Sequence, residues 1–302
     1  MWSPRRTRSR AKDINKFGNG TISPAALEPQ TATQPHQNVE SLPADLNAST
    51  TKLGKLDQAL LKKKQAWLST YDVTIPRRFE RHRRSVDATL VFAQNEAGTA
   101  VCISPHGLLL TCSHCVADTE AELDGSRMPW LLFHSGNAVA ARCVAWDGKR
   151  DLALLQIVAA QPDPLGLAFP DVLIESTTPG VGSQVVCVGH PGSEDLEAVQ
   201  PGIRTNYDVL HVSTGVYHGC AEGQDVQDNS EIGALMHDAW TYWGHSGAPI
   251  FCMKSGHIIG LHSSWDDETG MRRGIALEAL QQFLKSNSAV VGADLLSAPS
   301  GF

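Results

Sequence analysis

The sequence predicts an all-β protein made of two small six-stranded barrels, closed by a C-terminal helix and preceded by a basic arm. Three observations lead to this fold class. Short apolar runs recur from residue 88 onward, turn residues such as Pro179-Gly180 separate them, and the charge changes sign near residue 85. Many short strands at such spacing are typical of a β-barrel or a β-sandwich.

Twelve of the apolar runs are predicted strands, which is enough for two barrels. They cover residues 88–93, 98–103, 107–111, 130–133, 137–144, 152–157, 184–188, 209–216, 232–237, 249–253, 257–261 and 274–277. Residues 277–285 then have helical periodicity and predict the closing helix. We therefore expect a folded body over residues 86–286 and a short tail over residues 287–302.

The first 85 residues differ from the body in charge and composition. They hold 16 Lys and Arg against 7 Asp and Glu, whereas residues 86–302 hold 9 against 25, a net of −16. Residues 1–50 have few large apolar side chains and are predicted to be disordered, and one amphipathic helix is predicted over residues 53–71. No nucleic-acid motif accompanies the basic clusters, so a solvated arm is the favoured interpretation and nucleic-acid binding through it the alternative.

The cysteines predict a reducing compartment. Their number is odd, most lie in apolar runs, and the N-terminus lacks the apolar region of a secretory signal. We expect free thiols and an intracellular location, cytoplasmic or nuclear, with a mitochondrial one as the alternative. Cys112-Ser-His-Cys115 has the spacing of a metal pair, but no second pair completes a zinc site. No apolar run approaches the roughly 20 residues of a membrane span.

Three segments carry the residue types of nucleophilic catalysis. Gly244-His245-Ser246-Gly247 places a serine between glycines, where the backbone can bend and direct its N–H groups toward one point. His114 ends an apolar strand, and Asp151 directly precedes another, where a carboxylate needs a partner such as an imidazole N–H. Read singly, these residues could be a turn serine, a structural histidine and a strand cap.

Together with their surroundings, these segments resemble the trypsin-like (chymotrypsin-fold) serine peptidases, and most closely the HtrA-type branch and the glutamyl endopeptidases. The resemblance runs from about residue 88 to 286 and rests on residues 98–118, 151–155, 181–192, 244–249 and 259–264. It implies that Ser246 is the nucleophile, His114 the general acid–base and Asp151 the residue that orients His114. It also implies an oxyanion hole from the N–H groups of Gly244 and Ser246, protein or peptide substrates, and no metal or organic cofactor.

The sequence departs from secreted trypsins at two positions that matter. His245 stands where they carry the aspartate of zymogen activation, so we expect a form that is competent without processing. Trp240 replaces the aspartate that selects Arg or Lys.

The substrate-binding positions resemble those of the glutamyl endopeptidases. Thr241 and His262 match a Thr and a His that contact the substrate carboxylate there, and Ser263 follows His262. We therefore expect cleavage after Glu or Asp. The alternatives are that His262 is a plain strand histidine beside an apolar pocket, and that the whole chain is an inactive peptide-binding scaffold.

Overall fold

The computed structural model describes residues 39–46, 53–70, 75, 77–94, 98–123, 128–162, 168–195, 198–200 and 202–292. The disorder predicted for residues 1–38 and 47–50, and most of the predicted tail, lie outside these residues. The described part contains thirteen strands and four α-helices.

The first barrel closes on itself through antiparallel pairs. Its strands are β2 Thr89–Phe92, β3 Thr99–Cys102, β4 Leu108–Thr111, β5 Trp130–Phe133, β6 Ala138–Asp147 and β7 Leu152–Ala160. They hydrogen-bond in the order β7-β4-β3-β2-β5-β6, and β6 pairs again with β7. This closed order leaves no free edge among the six strands.

The second barrel is also closed and six-stranded. Its strands are β8 Gln184–Gly189, β9 His211–Cys220, β10 Leu235–His237, β11 Pro249–Cys252, β12 Ile258–Trp265 and β13 Arg272–Ala276, in the order β10-β13-β12-β11-β8-β9 with β10 pairing again with β9. An α-helix, Leu277–Ser286, follows β13. The double barrel, the twelve strands and the closing helix predicted from the sequence are confirmed.

One continuous apolar core joins the two barrels. Strands β2, β3 and β4 are buried along their whole length, as expected for runs with few polar side chains. Leu110 of the first barrel belongs to the same buried cluster as Val188 and Phe251 of the second. The groups that the two barrels contribute to a site between them are therefore held at a fixed separation.

The arm does not end in a solvated linker, which corrects the sequence analysis. A two-stranded parallel pair joins β1 (Glu40–Ser41) to the end of β7. The helix α1 (Lys55–Leu68) confirms the predicted helix but packs on the first barrel, where Leu61 is fully buried beside Leu132. Burial of Leu61 supplies the stabilisation that propensity alone would not give a helix of this length.

The folded unit also begins before the predicted boundary at residue 86. A 3₁₀ helix, Arg77–His82, and a short helix, α2 (Arg83–Asp87), bring Phe79 and Val86 into the barrel core. After the closing helix, α3 (Leu277–Ser286), the short helix α4 (Ser288–Val291) still contacts that core, so residues 288–291 are not a free tail. None of the described helices combines the length and apolar character that crossing a bilayer requires.

The packing of α1 predicts a clear contrast between two leucines of one helix. Leu61 is fully buried, whereas Leu56 is 87% exposed. We expect Leu61→Ala to lower the free energy of unfolding by about 2–5 kcal/mol, because it removes buried methyl groups and leaves a cavity. Leu56→Ala should change it by less than about 0.5 kcal/mol. Urea denaturation followed by circular dichroism measures both, and equal effects would show that α1 is not part of the cooperative unit.

Candidate active site

His114 lies where the chain leaves β4. The strand ends at Thr111, and a short 3₁₀ helix, Ser113–Cys115, turns the chain so that the His114 ring is buried between the barrels. The neighbouring strand, β7, pairs with β4 so that Thr111 faces Ala153. This register brings Asp151, at the start of β7, next to the His114 ring.

Asp151 is buried and its carboxylate is held by three hydrogen-bond donors. Nδ1 of His114 lies 2.9 Å from each carboxylate oxygen, Oγ of Ser113 donates at 2.9 Å, and the backbone N–H of His114 donates at 3.2 Å. The residue has a φ of 56°, an uncommon left-handed conformation for a residue with a side chain. A buried carboxylate without such donors would be costly, so the donors explain why Asp151 is tolerated there.

The charge state of Asp151 follows from these contacts. Burial alone would raise its pKa, but the attraction to His114 and the hydrogen bonds from His114 and Ser113 outweigh it and hold the pKa below the usual value. An ionised carboxylate only accepts hydrogen bonds, so Nδ1 of His114 carries the hydrogen that faces it. Nε2 of a neutral His114 is then the nitrogen able to accept a proton.

The serine loop, residues 242–247, is attached to both barrels by backbone hydrogen bonds. The carbonyl oxygen of Ser246 accepts from the N–H of Thr99 in β3 at 2.7 Å, and the N–H of Gly247 donates to the carbonyl of His262 in β12 at 2.8 Å. Sγ of Cys115, the residue after His114, lies 3.5 Å from the carbonyl oxygen of Ser246. The backbone of Ser246 therefore contacts Thr99 of the first barrel and Cys115, the residue that follows His114.

Two backbone N–H groups of this loop remain for a ligand. The N–H of His245 donates to the carbonyl of Tyr242 at 3.0 Å. Within the described residues, the N–H groups of Gly244 and Ser246 on either side of it have no acceptor in the protein. Gly244 has a φ of 96°, where a Cβ would meet the carbonyl oxygen of His190, so this bend requires glycine. Two free amides on one bend are the geometry of an anion-stabilising site.

His245 is packed as a neutral group. It is fully buried, its Nδ1 lies 3.0 Å from the carbonyl oxygen of Tyr242, and burial lowers its pKa to about 3. A neutral imidazole needs no cationic partner. No cation is therefore needed beside His245, and its Nε2 is buried without a hydrogen-bond partner among the described residues.

The predicted substrate-binding residues are also buried beside the loop. The carbonyl oxygen of Ser263 accepts a hydrogen bond from Oγ of Ser246 at 3.4 Å. Nδ1 of the buried His262 lies 3.2 Å from Nε2 of His237. Thr241 is buried, and its Oγ1 has no hydrogen-bond partner among the described residues.

Sequence reasoning missed three residues of this region. Ser113 stood inside the histidine motif, but its contact with Asp151 depends on the turn after β4. His237 and Arg272 come next to His262 only through the pairing of β10, β12 and β13. Only the register of these strands could have identified His237 and Arg272.

One set of side chains has the composition of a metal site. Ligand atoms of Cys112, His114 and Asp151 lie within 4.8 Å of one another. His114 and Asp151 already bond each other, and burial raises the pKa of the Cys112 thiol well above its usual value, which keeps the thiol protonated. Metals bind the thiolate, so this set is a poor fit to a metal ion.

Comparison with known proteins agrees with this geometry. A family model described as a trypsin-like peptidase domain matches residues 98–261, which is more than half of the chain. The chain belongs to the trypsin-like peptidase family. This confirms the resemblance inferred from the serine, histidine and aspartate segments. The individual roles of Ser246, His114 and Asp151 stay predictions.

Curated relatives of this peptidase family are much longer than the matched region. The chain is 26% identical over 203 residues to a probable periplasmic serine endoprotease DegP-like of Brucella suis, covering 65% of this chain and 34% of that protein. A protein of the same name from Rickettsia prowazekii is 26% identical over 181 residues, covering 59% and 30%. The chain thus spans about a third of the length of these relatives. Their names agree with the HtrA-type branch and say periplasmic, which does not support the intracellular location expected here.

A solved structure supports the fold of the peptidase domain. The crystal structure of the serine endoprotease from Yersinia pestis matches with a TM-score of 0.50 and 21% sequence identity, over 70% of this chain and 67% of that one. At this identity the likeness concerns the fold.

The buried histidines of the second barrel predict a loss of stability in acid. Burial lowers the pKa of His190, His237 and His245 to about 3, against about 6.5 in an unfolded chain. Between about pH 3 and about pH 6.5 the unfolded chain binds more protons than the folded one. The free energy of unfolding is therefore highest above about pH 6.5 and falls as the pH drops toward 3, by about 1.4 kcal/mol per pH unit for each histidine.

His190→Asn should weaken this dependence, because it removes one buried ring that can take up a proton. Asn can keep a hydrogen bond like that of His190 Nδ1 with the carbonyl of Val209, at 2.8 Å, but does not titrate. We expect the denaturation free energy of this variant to vary less steeply between pH 6.5 and 4.5. The exposed His106→Asn serves as control. An unchanged slope in the His190 variant would show that this ring is protonated in the folded protein.

Proposed function

We propose that this chain is a serine endopeptidase that hydrolyses peptide bonds through Ser246, His114 and Asp151. The observation that carries the proposal is the buried His114–Asp151 pair, with Nδ1 2.9 Å from both carboxylate oxygens. The residue after His114, Cys115, has its Sγ 3.5 Å from the carbonyl oxygen of Ser246, which lies between two glycines with positive φ. Family membership supports the same reaction class. The DegP-like relatives are named serine endoproteases, which agrees with it.

The reaction would proceed through an acyl-enzyme. Nε2 of His114 takes the hydroxyl proton as Oγ of Ser246 attacks the carbonyl carbon, and the carbonyl oxygen becomes an oxyanion. The imidazolium, stabilised by Asp151, then gives that proton to the leaving amine as the peptide bond breaks. Water attacks the acyl-enzyme with the same base, which releases the carboxylic acid and restores Ser246.

The backbone of the serine loop would stabilise the oxyanion. The N–H groups of Gly244 and Ser246 have no acceptor among the described residues, which supports this role. Loss of one such donor in serine peptidases costs roughly 100- to 1,000-fold in kcat. The chemistry needs neither a metal nor an organic cofactor.

Active-site labelling tests the nucleophile without knowledge of the substrate. We expect a fluorophosphonate probe to label the full chain, because only an activated serine reacts readily. Ser246→Ala should abolish labelling, and the exposed Ser176→Ala should label like the wild type. Thermal denaturation of the three proteins checks that each is folded. Labelling that persists in Ser246→Ala would contradict the assignment, and an unlabelled wild type that still binds peptides would favour the scaffold alternative.

We further propose that the peptidase prefers Glu or Asp before the cleaved bond. Three observations support an acid-binding pocket: Thr241, His262 and Ser263 are buried, Ser263 contacts Ser246, and Oγ1 of Thr241 lacks a partner among the described residues. Cleavage positions in a diverse peptide library should be enriched in Glu and Asp. Enrichment of aliphatic residues would reject this preference.

The cysteines support a reducing compartment, and we keep an intracellular location as a proposal. All seven are free, and burial raises the pKa of Cys102, Cys115 and Cys187 to about 12. Recovery of the chain from a periplasmic or secreted fraction would overturn it. Binding of nucleic acid by the basic arm stays the less favoured alternative.

A further inference from the structure

Arg272 lies in a row of side chains on one face of the second barrel. At the start of β13 it pairs directly with His237 of β10 and with Trp265 of β12, and direct partners in antiparallel strands project from the same face. A bulge after His262 keeps that residue on the same face, where its ring contacts His237 at a centroid distance of 5.4 Å. We call these four residues, His237, His262, Trp265 and Arg272, the Arg272 wall.

The Arg272 wall adjoins the serine loop at two points. Ser263, the residue after His262, accepts the hydrogen bond from Oγ of Ser246 at 3.4 Å. The ring of Trp265 contacts that of Trp243, which lies in the serine loop, at 4.5 Å between centroids. A substrate side chain next to the bond attacked by Ser246 would therefore meet this wall.

The guanidinium of Arg272 is incompletely paired. Its Nε is buried without a hydrogen-bond partner among the described residues, and Nη1 donates only to the carbonyl of Gly270 in its own turn, at 2.7 Å. The next residue, Arg273, is paired on the opposite face: Nε donates to the carbonyl of Gly233 at 2.8 Å and Nη2 to Oε1 of Gln224 at 2.6 Å. Arg273 is thus a structural arginine, whereas buried donors like Nε of Arg272 are rarely left unpaired without a reason.

The two histidines of the wall are uncharged, and the indole N–H of Trp265 donates to Oδ1 of Asp267 at 2.9 Å. Burial first, and then neighbouring positive charges, lower the pKa of His237 to about 3 and that of His262 well below its usual value. Both rings are therefore neutral at pH 7, and each carries one N–H hydrogen. One of these two hydrogens makes the 3.2 Å contact between Nε2 of His237 and Nδ1 of His262. The other ring hydrogen is left for a different acceptor, and Arg272 is the permanent positive charge of the wall.

We propose that Arg272 is a specificity-determining residue that binds the carboxylate of a Glu or Asp side chain preceding the cleaved bond. The proposal rests on the serine endopeptidase function and adds a cation to the pocket expected from Thr241 and His262. A guanidinium presents donors in a planar fork that matches a carboxylate. The neutral His262 then supplies a further donor, and a Lys or Arg side chain is repelled by Arg272.

Matched peptides test this assignment directly. Two peptides that differ only in Glu or Gln before the cleaved bond have nearly the same shape and differ in charge. In the full chain we expect the Glu peptide to have the higher kcat/KM, and Arg272→Gln to lower that value about 10- to 100-fold while affecting the Gln peptide much less. The control is Arg142→Gln, an exposed arginine of the first barrel.

Fluorophosphonate labelling separates this inference from the proposed function. Labelling of Arg272→Gln at the wild-type rate shows that the nucleophile is intact and the protein folded. If the wild type labels but cleaves both peptides equally, or if Arg272→Gln keeps the full Glu-to-Gln ratio, the assignment of Arg272 is wrong and the endopeptidase function stands. If the wild type does not label, the endopeptidase function itself fails.

Arg272→Lys keeps the test decisive should the Gln variant not fold. Lysine preserves the charge and the length of the side chain but presents a point charge instead of a fork. We expect a Glu-to-Gln ratio below that of the wild type and above one. A ratio identical to that of the wild type would overturn the proposal.

Discussion

The buried carboxylate of Asp151 is the constraint on which the site depends. A charge at this depth is tolerated only when donors surround it, and all three donors come from Ser113 and His114. Those residues reach Asp151 because β4 and β7 pair in one register, and a slip by one residue would turn their side chains to the other face. The first barrel thus places His114, the second places Ser246, and the common core fixes the separation of the two barrels.

The second barrel holds its loop with neutral groups instead of ion pairs. His190, His237 and His245 are buried with pKa values of about 3, so each is an uncharged ring with one donor and one acceptor nitrogen. Removing one partner of a buried ion pair leaves an uncompensated charge. Losing one hydrogen bond of a neutral imidazole leaves only an unpaired polar atom. His245 therefore needs no charged partner in this loop, and the same burial predicts that the domain loses stability in acid.

The barrels could be predicted from the sequence because their strands are apolar runs separated by turns. The catalytic roles of His114, Asp151 and Ser246 come from local motifs near strand ends and stay predictions. The two residues of β1, Glu40 and Ser41, are polar and exposed and carry no such signal. Arg272 and Arg273 are identical neighbours with opposite environments. Only the register of β13 against β10 and β12 decides which of them is paired and which faces the site.

The overall charge and the pocket charge act over different distances. Residues 86–302 carry a net charge of −16, which would slow the approach of acidic peptides. Salt screens exposed charges over about 8 Å at physiological ionic strength, so this repulsion weakens as salt rises. In the proposed pocket Arg272 would act at contact distance, where its buried Nε is screened less than an exposed charge. An acidic body and an acid-binding pocket are therefore compatible, because the first governs the encounter and the second the choice of residue.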